Sequence, residues 1–195
     1  GSYYFFGGLL MILGGLLEFI IGKTFSFVVF SSFGAFWLTL ASTLEPSFQV
    51  ASMYAPPNAT SQMQGFATVG FTASFGFVQA FMAVLCFIFF ICSIRSNVCM
   101  VVVFFCLTIS YSLMAAVNWE LAEALGGNPS KVKTVHNLQI MAGGFLFTAS
   151  MIGWYVLLAL MMVCIDYPIQ VPVGDLSKIV KGRSERQKEK SQTSV

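Results

Sequence analysis

The stretch from Tyr3 to Leu44 reads YYFFGGLLMILGGLLEFIIGKTFSFVVFSSFGAFWLTLASTL and decides the fold class. Its two apolar runs each approach the roughly 20 residues that a helix needs to cross about 30 Å of hydrocarbon. Glu18 and Lys23 are its charged residues. We therefore predict two membrane-spanning helices, from Tyr3 to Ile21 and from Thr24 to Leu44, joined by a tight turn at Lys23.

The rest of the chain continues this apolar pattern. Of its 195 residues, 57% are hydrophobic and 9% are charged, and the mean hydropathy is +0.81. A soluble domain carries about 25% charged residues to cover its water-facing surface. Three more apolar runs, continuous rather than alternating as in a β-barrel, predict helices over residues 67–94, 98–119 and 138–165. We predict an all-α fold, a polytopic membrane helical bundle with five transmembrane helices in this chain.

Polar segments separate the predicted helices. The two longest are residues 45–66, which contain three prolines, and residues 120–137. The lone histidine, His136, falls in the second loop and is predicted to be a surface residue without the partners that a metal site needs. Residues 1–166 are predicted to form the transmembrane helical domain, and residues 167–195 a cytoplasmic C-terminal tail.

Positive charge is concentrated at the C-terminus. Six of the ten basic residues lie in the last eighteen positions: Lys178, Lys181, Arg183, Arg186, Lys188 and Lys190. Basic residues favour the cytoplasm, so the tail is predicted to lie inside and residues 45–66 and 120–137 outside, in a multi-pass membrane protein. The glycosylation acceptor Asn58-Ala59-Thr60 agrees with an outer loop, whereas Lys131 and Lys133 oppose it. Five spans then place the N-terminus outside, and a further span upstream is expected because it would return both ends to the cytoplasm.

The sequence carries no pattern typical of an enzyme. It has no Ser-His-Asp arrangement, phosphate-binding loop or metal-ligand cluster, and polar groups are nearly absent from the apolar runs. The five cysteines lie in or beside these runs, where cysteine behaves as a small hydrophobic residue. Nucleic-acid binding is disfavoured because the aromatic residues are not interleaved with basic ones. We predict no enzymatic activity, no cofactor, no metal and no nucleic-acid partner.

Glycine pairs mark the first apolar run. Gly7-Gly8 and Gly14-Gly15 are seven residues apart, about two helical turns, which places them on one face. Small residues let membrane helices approach closely, so we interpret the four glycines as a helix-packing seam. The alternative is that their exposed backbone lines a pore.

A few polar residues interrupt the apolar runs. Glu18 is the acidic residue within a predicted span, which makes it a candidate proton carrier. The alternatives for Glu18 are an ion pair or a side chain that reaches towards the interface near Lys23. Ser31 and Ser32 either bond to the backbone or coordinate a carboxylate. Asn118, at the predicted outer end of the fourth span, is a further polar candidate or an interfacial helix end.

A set of motifs runs along most of the chain. It comprises Phe6-Gly7-Gly8, Glu18, Gly22-Lys23-Thr24-Phe25, Phe30-Ser31-Ser32-Phe33-Gly34-Ala35-Phe36-Trp37-Leu38, Phe104-Phe105-Cys106-Leu107-Thr108, Ala142-Gly143-Gly144, Tyr155 and Val171-Pro172-Val173-Gly174-Asp175-Leu176-Ser177. Together these motifs resemble the acetate uptake transporter family, the GPR1/FUN34/YaaH group. The F-x-x-[YF]-G-x-F-W core is the most specific of them. The long loop and the Gly-Asp-Leu-Ser ending resemble fungal members most.

The resemblance implies six membrane helices per subunit, hexamers around a central axis, and a carboxylate path within each subunit. It implies a hydrophobic constriction with Phe33 and Leu107 at two of its positions, and it matches the family's glutamate and asparagine to Glu18 and Asn118. The family signature Asn-Pro-Ala-Pro-Leu-Gly-Leu, which opens its first helix, is absent, so the chain is expected to lack that helix. Lys23 stands where the family commonly has asparagine.

The predicted function is membrane transport of acetate and similar short monocarboxylates, proton-coupled or channel-like. An anion loses its hydration in a dry constriction at large cost, which proton coupling or a row of hydroxyl donors would lower. Ser31, Ser32, Thr108 and Asn118 are the predicted donors, and Glu18 is the predicted proton-coupling residue. The expected partners are a small monocarboxylate, protons, the lipid bilayer and further copies in a homo-hexamer. The alternative is a non-transporting membrane sensor or scaffold, or an inactive truncated subunit.

Overall fold

The computed structural model describes residues 1–176 together with Ile179, Gly182 and Gln187. In this part of the chain, five helices are long and apolar enough to cross a membrane, and no strand is present. The predicted all-α fold with five spans is therefore confirmed. The six basic residues of the predicted tail fall outside the described residues. The chain forms two compact units, Gly1–Thr72 and Ala73–Val195.

The first unit begins with a helical hairpin. Its first span starts as a π-helix over Tyr3–Leu10 and continues as α1, Met11–Ile20. After a turn at Gly22, α2 runs over Thr24–Leu44, which is the range predicted. Gly22 has a φ of 83°, a left-handed conformation that glycine adopts without steric cost. The π-helical start is not indicated by the sequence, because apolar composition alone does not distinguish π from α geometry.

Aromatic pairs hold both ends of the hairpin. The rings of Tyr3 and Trp37 stack with centroids 5.1 Å apart, and those of Phe19 and Phe27 lie 5.0 Å apart. Early residues of the first span therefore meet late residues of α2, which makes the two helices antiparallel. Aromatic pairs of this kind contribute about 0.5–1.5 kcal/mol each beyond their buried area.

Residues 45–68 form a loop that folds on itself. Its regular structure consists of three short 3-10 helices, Pro46–Phe48, Ala51–Tyr54 and Gln62–Ala67. Gly65 lies so close to the carbonyl of Ala51 that an added Cβ would overlap it. At the end of the loop, the Thr68 hydroxyl accepts a hydrogen bond from the backbone N–H of Phe71 at 3.3 Å and so caps the next helix.

The second unit contains the remaining helices. They are α3 (Val69–Ser93), α4 (Val98–Leu125) and α5 (Val132–Cys164). The first four residues of α3 belong to the first unit, and the second unit begins at Ala73. Ring pairs join α3 to α4, with centroids 5.4 Å apart for Phe77 and Trp119 and 5.6 Å apart for Phe89 and Phe104. The spans predicted at residues 67–94, 98–119 and 138–165 all form as helices.

The predicted loop over residues 120–137 is wrong at both ends. α4 continues past Trp119 to Leu125, and α5 already begins at Val132 after a 3-10 turn over Pro129–Lys131. His136 therefore lies in a helix rather than in a loop, although it is exposed as predicted. The predicted loop was too long because falling hydropathy marks where a helix leaves the hydrocarbon, not where its backbone ends.

Ion pairs stabilise this helical extension. Lys131 Nζ lies 2.9 Å from Glu120 Oε2 and 3.2 Å from Glu123 Oε2, so the start of the α5 segment is held against the end of α4. Glutamate, leucine and alanine, which fill residues 120–125, are also good helix formers. Both effects favour helix in a stretch too polar to be read as a span.

The chain beyond α5 folds back onto the α3–α4 turn. We call residues 167–176 the return segment. Its Pro172 carbonyl accepts a hydrogen bond from the Tyr155 hydroxyl at 2.7 Å. The backbone N–H of Val98 donates to the Gly174 carbonyl at 2.8 Å, and that of Leu176 donates to the Ser96 carbonyl at 3.0 Å. The hydrogen-bonded chain thus continues past the predicted domain boundary at residue 166.

Candidate functional site

A cleft of about 380 Å³ lies between α3 and α4, within the second unit. Small and aromatic side chains form most of its wall, and two hydroxyls supply its polarity. It is lined by Ala80, Ala83, Val84, Phe87, Thr108, Ser112, Ala115 and Trp119. Mostly apolar clefts with a few polar groups are the usual form of small-molecule sites.

Both hydroxyls of the cleft already donate their hydrogens to the helix backbone. Thr108 Oγ1 donates to the Phe104 carbonyl at 2.7 Å, and Ser112 Oγ donates to the Thr108 carbonyl at 2.8 Å. Each oxygen keeps acceptor capacity after this donation. In this arrangement the two side chains present acceptors to the cleft, so a carboxylate would need donors from elsewhere.

Trp119 lines the cleft and packs against Phe77 of α3. A Cβ added at Gly76 would lie 2.5 Å from Trp119 Nε1, so the absence of a side chain at Gly76 is what lets the indole approach the α3 backbone. The indole N–H makes no hydrogen bond within the described part of the chain. The indole therefore brings an unpaired donor to the wall of the cleft.

Two predicted path residues of α4 point away from this cleft. Leu107 and Asn118 lie on one helical face, roughly 20° apart and about 90° from the face of Thr108, at 3.6 residues per turn. The Asn118 amide donates to the Met114 carbonyl at 2.8 Å. Asn118 is not at a helix end, as its alternative interpretation required, because α4 runs on to Leu125.

The other predicted path residues belong to the first unit. Phe33 is buried in α2, and Ser31 and Ser32 are half-buried beside it. The hydroxyls of the two serines make no side-chain hydrogen bond to any described residue, so both remain able to donate. Phe33 and Leu107 lie in different compact units.

Glu18 lies near the end of α1 and makes a long ion pair. Its Oε2 is 3.8 Å from Lys23 Nζ, and the Lys23 side chain is 63% exposed. An exposed pair of this kind contributes about 0–1 kcal/mol to stability, so it does little to hold Glu18 in one position.

Three of the four predicted packing glycines contact α2 closely. An added Cβ would meet the Trp37 side chain at Gly7, the Leu38 side chain at Gly8 and the Ser31 hydroxyl at Gly15, whereas Gly14 has nothing within 4 Å. Gly14 therefore makes no close contact with α2, although it is adjacent to Gly15 in the sequence.

Sequence reasoning missed three residues. Gly34 of α2 receives the first span, since an added Cβ would lie 3.2 Å from both the Gly8 carbonyl and the Ile12 nitrogen. Ser110 donates to the Ala142 carbonyl at 2.9 Å and links α4 to α5. Gln79 is a buried amide in α3. All three are a glycine or a polar residue inside an apolar run, and this is the sequence feature that could have identified them.

The described residues contain neither a candidate metal site nor a disulfide bond. None of their His, Cys, Asp and Glu side chains form a group of three or more that could hold a metal ion. All five cysteines are free thiols in this part of the chain.

Five apolar helices, long enough to span a bilayer, define a polytopic helical membrane protein. The chain belongs to the GPR1/FUN34/yaaH family, whose model matches residues 1–178. The protein alcS of Aspergillus fumigatus is 37% identical over 180 residues, which cover 91% of this chain and 63% of alcS. Acetate permease A of Emericella nidulans is 27% identical over 190 residues, or 96% of this chain and 59% of the permease. The chain thus spans less than two thirds of these relatives.

A solved structure shares the fold. The structure of the bacterial acetate channel SatP matches with a TM-score of 0.55 and 24% identity, over 88% of this chain and 80% of the channel. By their names, acetate permease A is a permease and SatP is a channel, and neither name is that of an enzyme. The predictions of family and of a non-enzymatic membrane protein are therefore confirmed.

Proposed function

We propose that this protein transports acetate and similar short monocarboxylates across a membrane. The observation that carries the proposal is the cleft between α3 and α4, which has small apolar walls and two hydroxyl oxygens within the membrane-spanning part of the chain. Membership of a family that includes an acetate permease supports it. A volume near 380 Å³ exceeds that of a two-carbon acid and leaves room for longer chains or for water.

Passage as the neutral acid suits such a path. Moving an isolated carboxylate from water into an apolar medium costs far more than moving a neutral hydroxyl or amide. A proton on the substrate, or on a nearby carboxyl group, removes most of that cost. We therefore propose proton-coupled transport, with Glu18 as the proton-coupling residue and Phe33 and Leu107 as the hydrophobic constriction. Ser31, Ser32, Thr108 and Asn118 are the proposed polar contacts of the substrate.

Uptake of labelled acetate into proteoliposomes tests this function. An inward proton gradient should stimulate uptake several-fold over the rate without a gradient, since each substrate carries a proton inward. Empty liposomes control for diffusion of free acetic acid. Absence of protein-dependent uptake under both conditions would reject transport by this chain and favour a non-transporting sensor or scaffold.

The variant Glu18→Gln should lose the stimulation by the proton gradient while keeping uptake without a gradient. Glutamine preserves the shape of the side chain but cannot exchange a proton at neutral pH. Glu45→Gln is the matched control because Glu45 is exposed in the loop after α2. An undiminished gradient effect in Glu18→Gln, measured in the same proteoliposomes, would remove Glu18 from the mechanism.

We also propose that the protein is a plasma-membrane homo-hexamer in which residues 1–166 form the transmembrane helical domain and residues 167–195 a cytoplasmic tail. Exposed large hydrophobic side chains are spread over all five spans, which is expected of surfaces that meet lipid or other subunits. Mass measurement of the protein in nanodiscs tests the hexamer. A monomer there would contradict it.

The proposed orientation predicts a glycan at Asn58. This residue is exposed in a turn in which the Ala59 N–H donates to the Pro56 carbonyl at 2.9 Å. In a eukaryotic host, removal of N-glycans should increase the gel mobility of the protein, and Asn58→Gln should show the increased mobility without treatment. Thr60→Ser keeps the acceptor sequence and should behave as wild type. Equal mobility of all forms would place this loop on the cytoplasmic side.

A further inference from the structure

Two of the motifs found in the sequence, Tyr155 and the run over residues 171–177, have no role in the proposed function. The structure describes this run as far as residue 176, within the return segment, and joins it to Tyr155. The Tyr155 hydroxyl donates a hydrogen bond to the Pro172 carbonyl at 2.7 Å. The return segment is therefore attached to α5 as well as to the turn between α3 and α4.

The return segment runs back over a considerable distance to reach that turn. Ser110 of α4 bonds to the Ala142 carbonyl, which sets the register of the antiparallel helices α4 and α5. Val98 and Tyr155 each lie about 18–20 Å from this contact, at 1.5 Å per residue, so they are at the same level. From Tyr155, α5 continues to Cys164, about 14 Å further on. The return segment covers this distance in the opposite direction.

Backbone hydrogen bonds attach the return segment to the start of α4. The Val98 N–H donates to the Gly174 carbonyl at 2.8 Å, and the Leu176 N–H donates to the Ser96 carbonyl at 3.0 Å. Val98 is the first residue of α4, where a backbone N–H has no acceptor within its own helix. The Gly174 carbonyl supplies that acceptor. The return segment therefore caps α4 as well as crossing the turn.

Gly174 allows the return segment to approach α4 this closely. Its φ is 70°, in the left-handed region that residues with a Cβ adopt only at a cost. A Cβ added at Gly174 would lie 2.8 Å from Val98 Cγ2. A larger residue at this position would therefore weaken the attachment without altering any of the membrane-spanning helices.

The turn that the return segment crosses joins the two helices of the cleft. On the side of this turn, the lining of the cleft ends at Phe87 of α3 and Thr108 of α4. Closer to the turn, the buried rings of Phe89 and Phe104 pair with centroids 5.6 Å apart. Passage out of the cleft towards the turn requires these rings to separate, and with them the ends of α3 and α4.

We propose that the return segment is a strap that holds the start of α4 and keeps the cleft closed on the side of the α3–α4 turn, and that its detachment opens this side. This inference rests on the proposed function and adds a means of regulating the same cleft. A segment held by a few hydrogen bonds opens at far lower cost than a helix unfolds. Attachment is therefore reversible while the five helices stay folded.

Hydrogen exchange in nanodiscs tests the attachment itself. In Gly174→Ala, the amide hydrogens of Val98 and Leu176 should exchange about fivefold faster than in wild type, because alanine disfavours the attached conformation. Tyr155→Phe, which removes one donor, should have a smaller effect in the same direction. Gly153→Ala is the matched control, since nothing lies within 4 Å of a Cβ added at Gly153. Wild-type exchange in Gly174→Ala would overturn the proposal.

Thiol labelling tests whether detachment opens the cleft. Ala83 lines the cleft and is 7% exposed. A water-soluble maleimide should label Ala83→Cys several-fold faster when Gly174→Ala is also present, but not when Gly153→Ala is present. Tandem mass spectrometry distinguishes this site from the five native cysteines. Equal labelling rates in all three proteins would overturn the proposal, and this measurement does not depend on transport.

A cross-link tests the effect of the return segment on transport. Asn97 and Asp175 form an antiparallel bridge between the two backbone hydrogen bonds, where opposed Cα atoms lie about 4.5 Å apart. This distance suits a disulfide. Oxidation of the double variant Asn97→Cys/Asp175→Cys should lower acetate uptake into proteoliposomes several-fold, and reduction should restore it. Wild type, treated with the same oxidant and reductant, controls for the native cysteines.

The outcomes separate the strap from the transport proposal. Equal uptake by the oxidised and reduced forms of the double variant would overturn the strap while the proposed function stands. If neither wild type nor any variant takes up acetate, the transport proposal fails. Labelling of Ala83→Cys then decides by itself whether the return segment closes the cleft.

Discussion

Replacing Gly15 with leucine should push α1 away from α2 and lower the free energy of unfolding by about 1–3 kcal/mol, the usual cost of overpacking. A Cβ at this position would lie 2.8 Å from the Ser31 hydroxyl and 3.3 Å from the Ser31 nitrogen. The backbone of α2 cannot rotate away as a side chain can. The loss should appear as a lower Tm in detergent.

Gly14→Leu is the control for this substitution. It makes the same change one residue earlier in α1, where nothing lies within 4 Å of an added Cβ. We expect Gly14→Leu to unfold at or slightly above the wild-type temperature, since leucine is a better helix former than glycine. Equal losses in the two variants would show that α1 and α2 do not pack through Gly15.

Gly65→Ala should destabilise the loop over residues 45–68 by at least about 3 kcal/mol, because overlap between backbone atoms is relieved only by moving the chain. The added Cβ would overlap the carbonyl oxygen of Ala51, and both groups in this contact belong to the backbone. The measurement is limited proteolysis, in which the variant loop should be cut faster than wild type.

Gly143→Ala serves as the control because Gly143 has open space around it in α5. The Tm of this variant should be unchanged or raised, and its loop should resist protease as in wild type. Wild-type proteolysis of Gly65→Ala would mean that the loop does not adopt the packing between Gly65 and Ala51.

The spans were predictable because hydrocarbon thickness fixes how many apolar residues a helix needs. Thr24–Leu44 agrees at both ends, since Lys23 and Pro46 break the apolar run there. The prediction failed at residues 120–137, where polar helix formers extend α4 beyond the apolar run and ion pairs at Lys131 hold the turn. The apolar composition of a segment indicates which residues lie in the hydrocarbon. The end of a helix depends instead on where its backbone hydrogen bonding stops, which can lie beyond the apolar run.

The candidate site was less predictable than the fold. Thr108 lies in the cleft, but the residues that α3 contributes to it were not singled out, because α3 is apolar on every side and gives no periodic signal for its buried face. The helix-packing seam was predictable from the presence of small residues in the first span. The closer contact of Gly15 than of Gly14 with α2 was not predictable, because it depends on how α1 is rotated against α2.

The return segment changes how the second unit would respond to mechanical load. Two backbone hydrogen bonds tie Gly174 and Leu176 to the α3–α4 turn, and Asn97 pairs with Asp175 between them. A pull on the C-terminus is therefore transmitted to the turn between α3 and α4 before it reaches the end of α5. Tension there would break these few hydrogen bonds first. The return segment would then detach while the membrane-spanning helices stay intact.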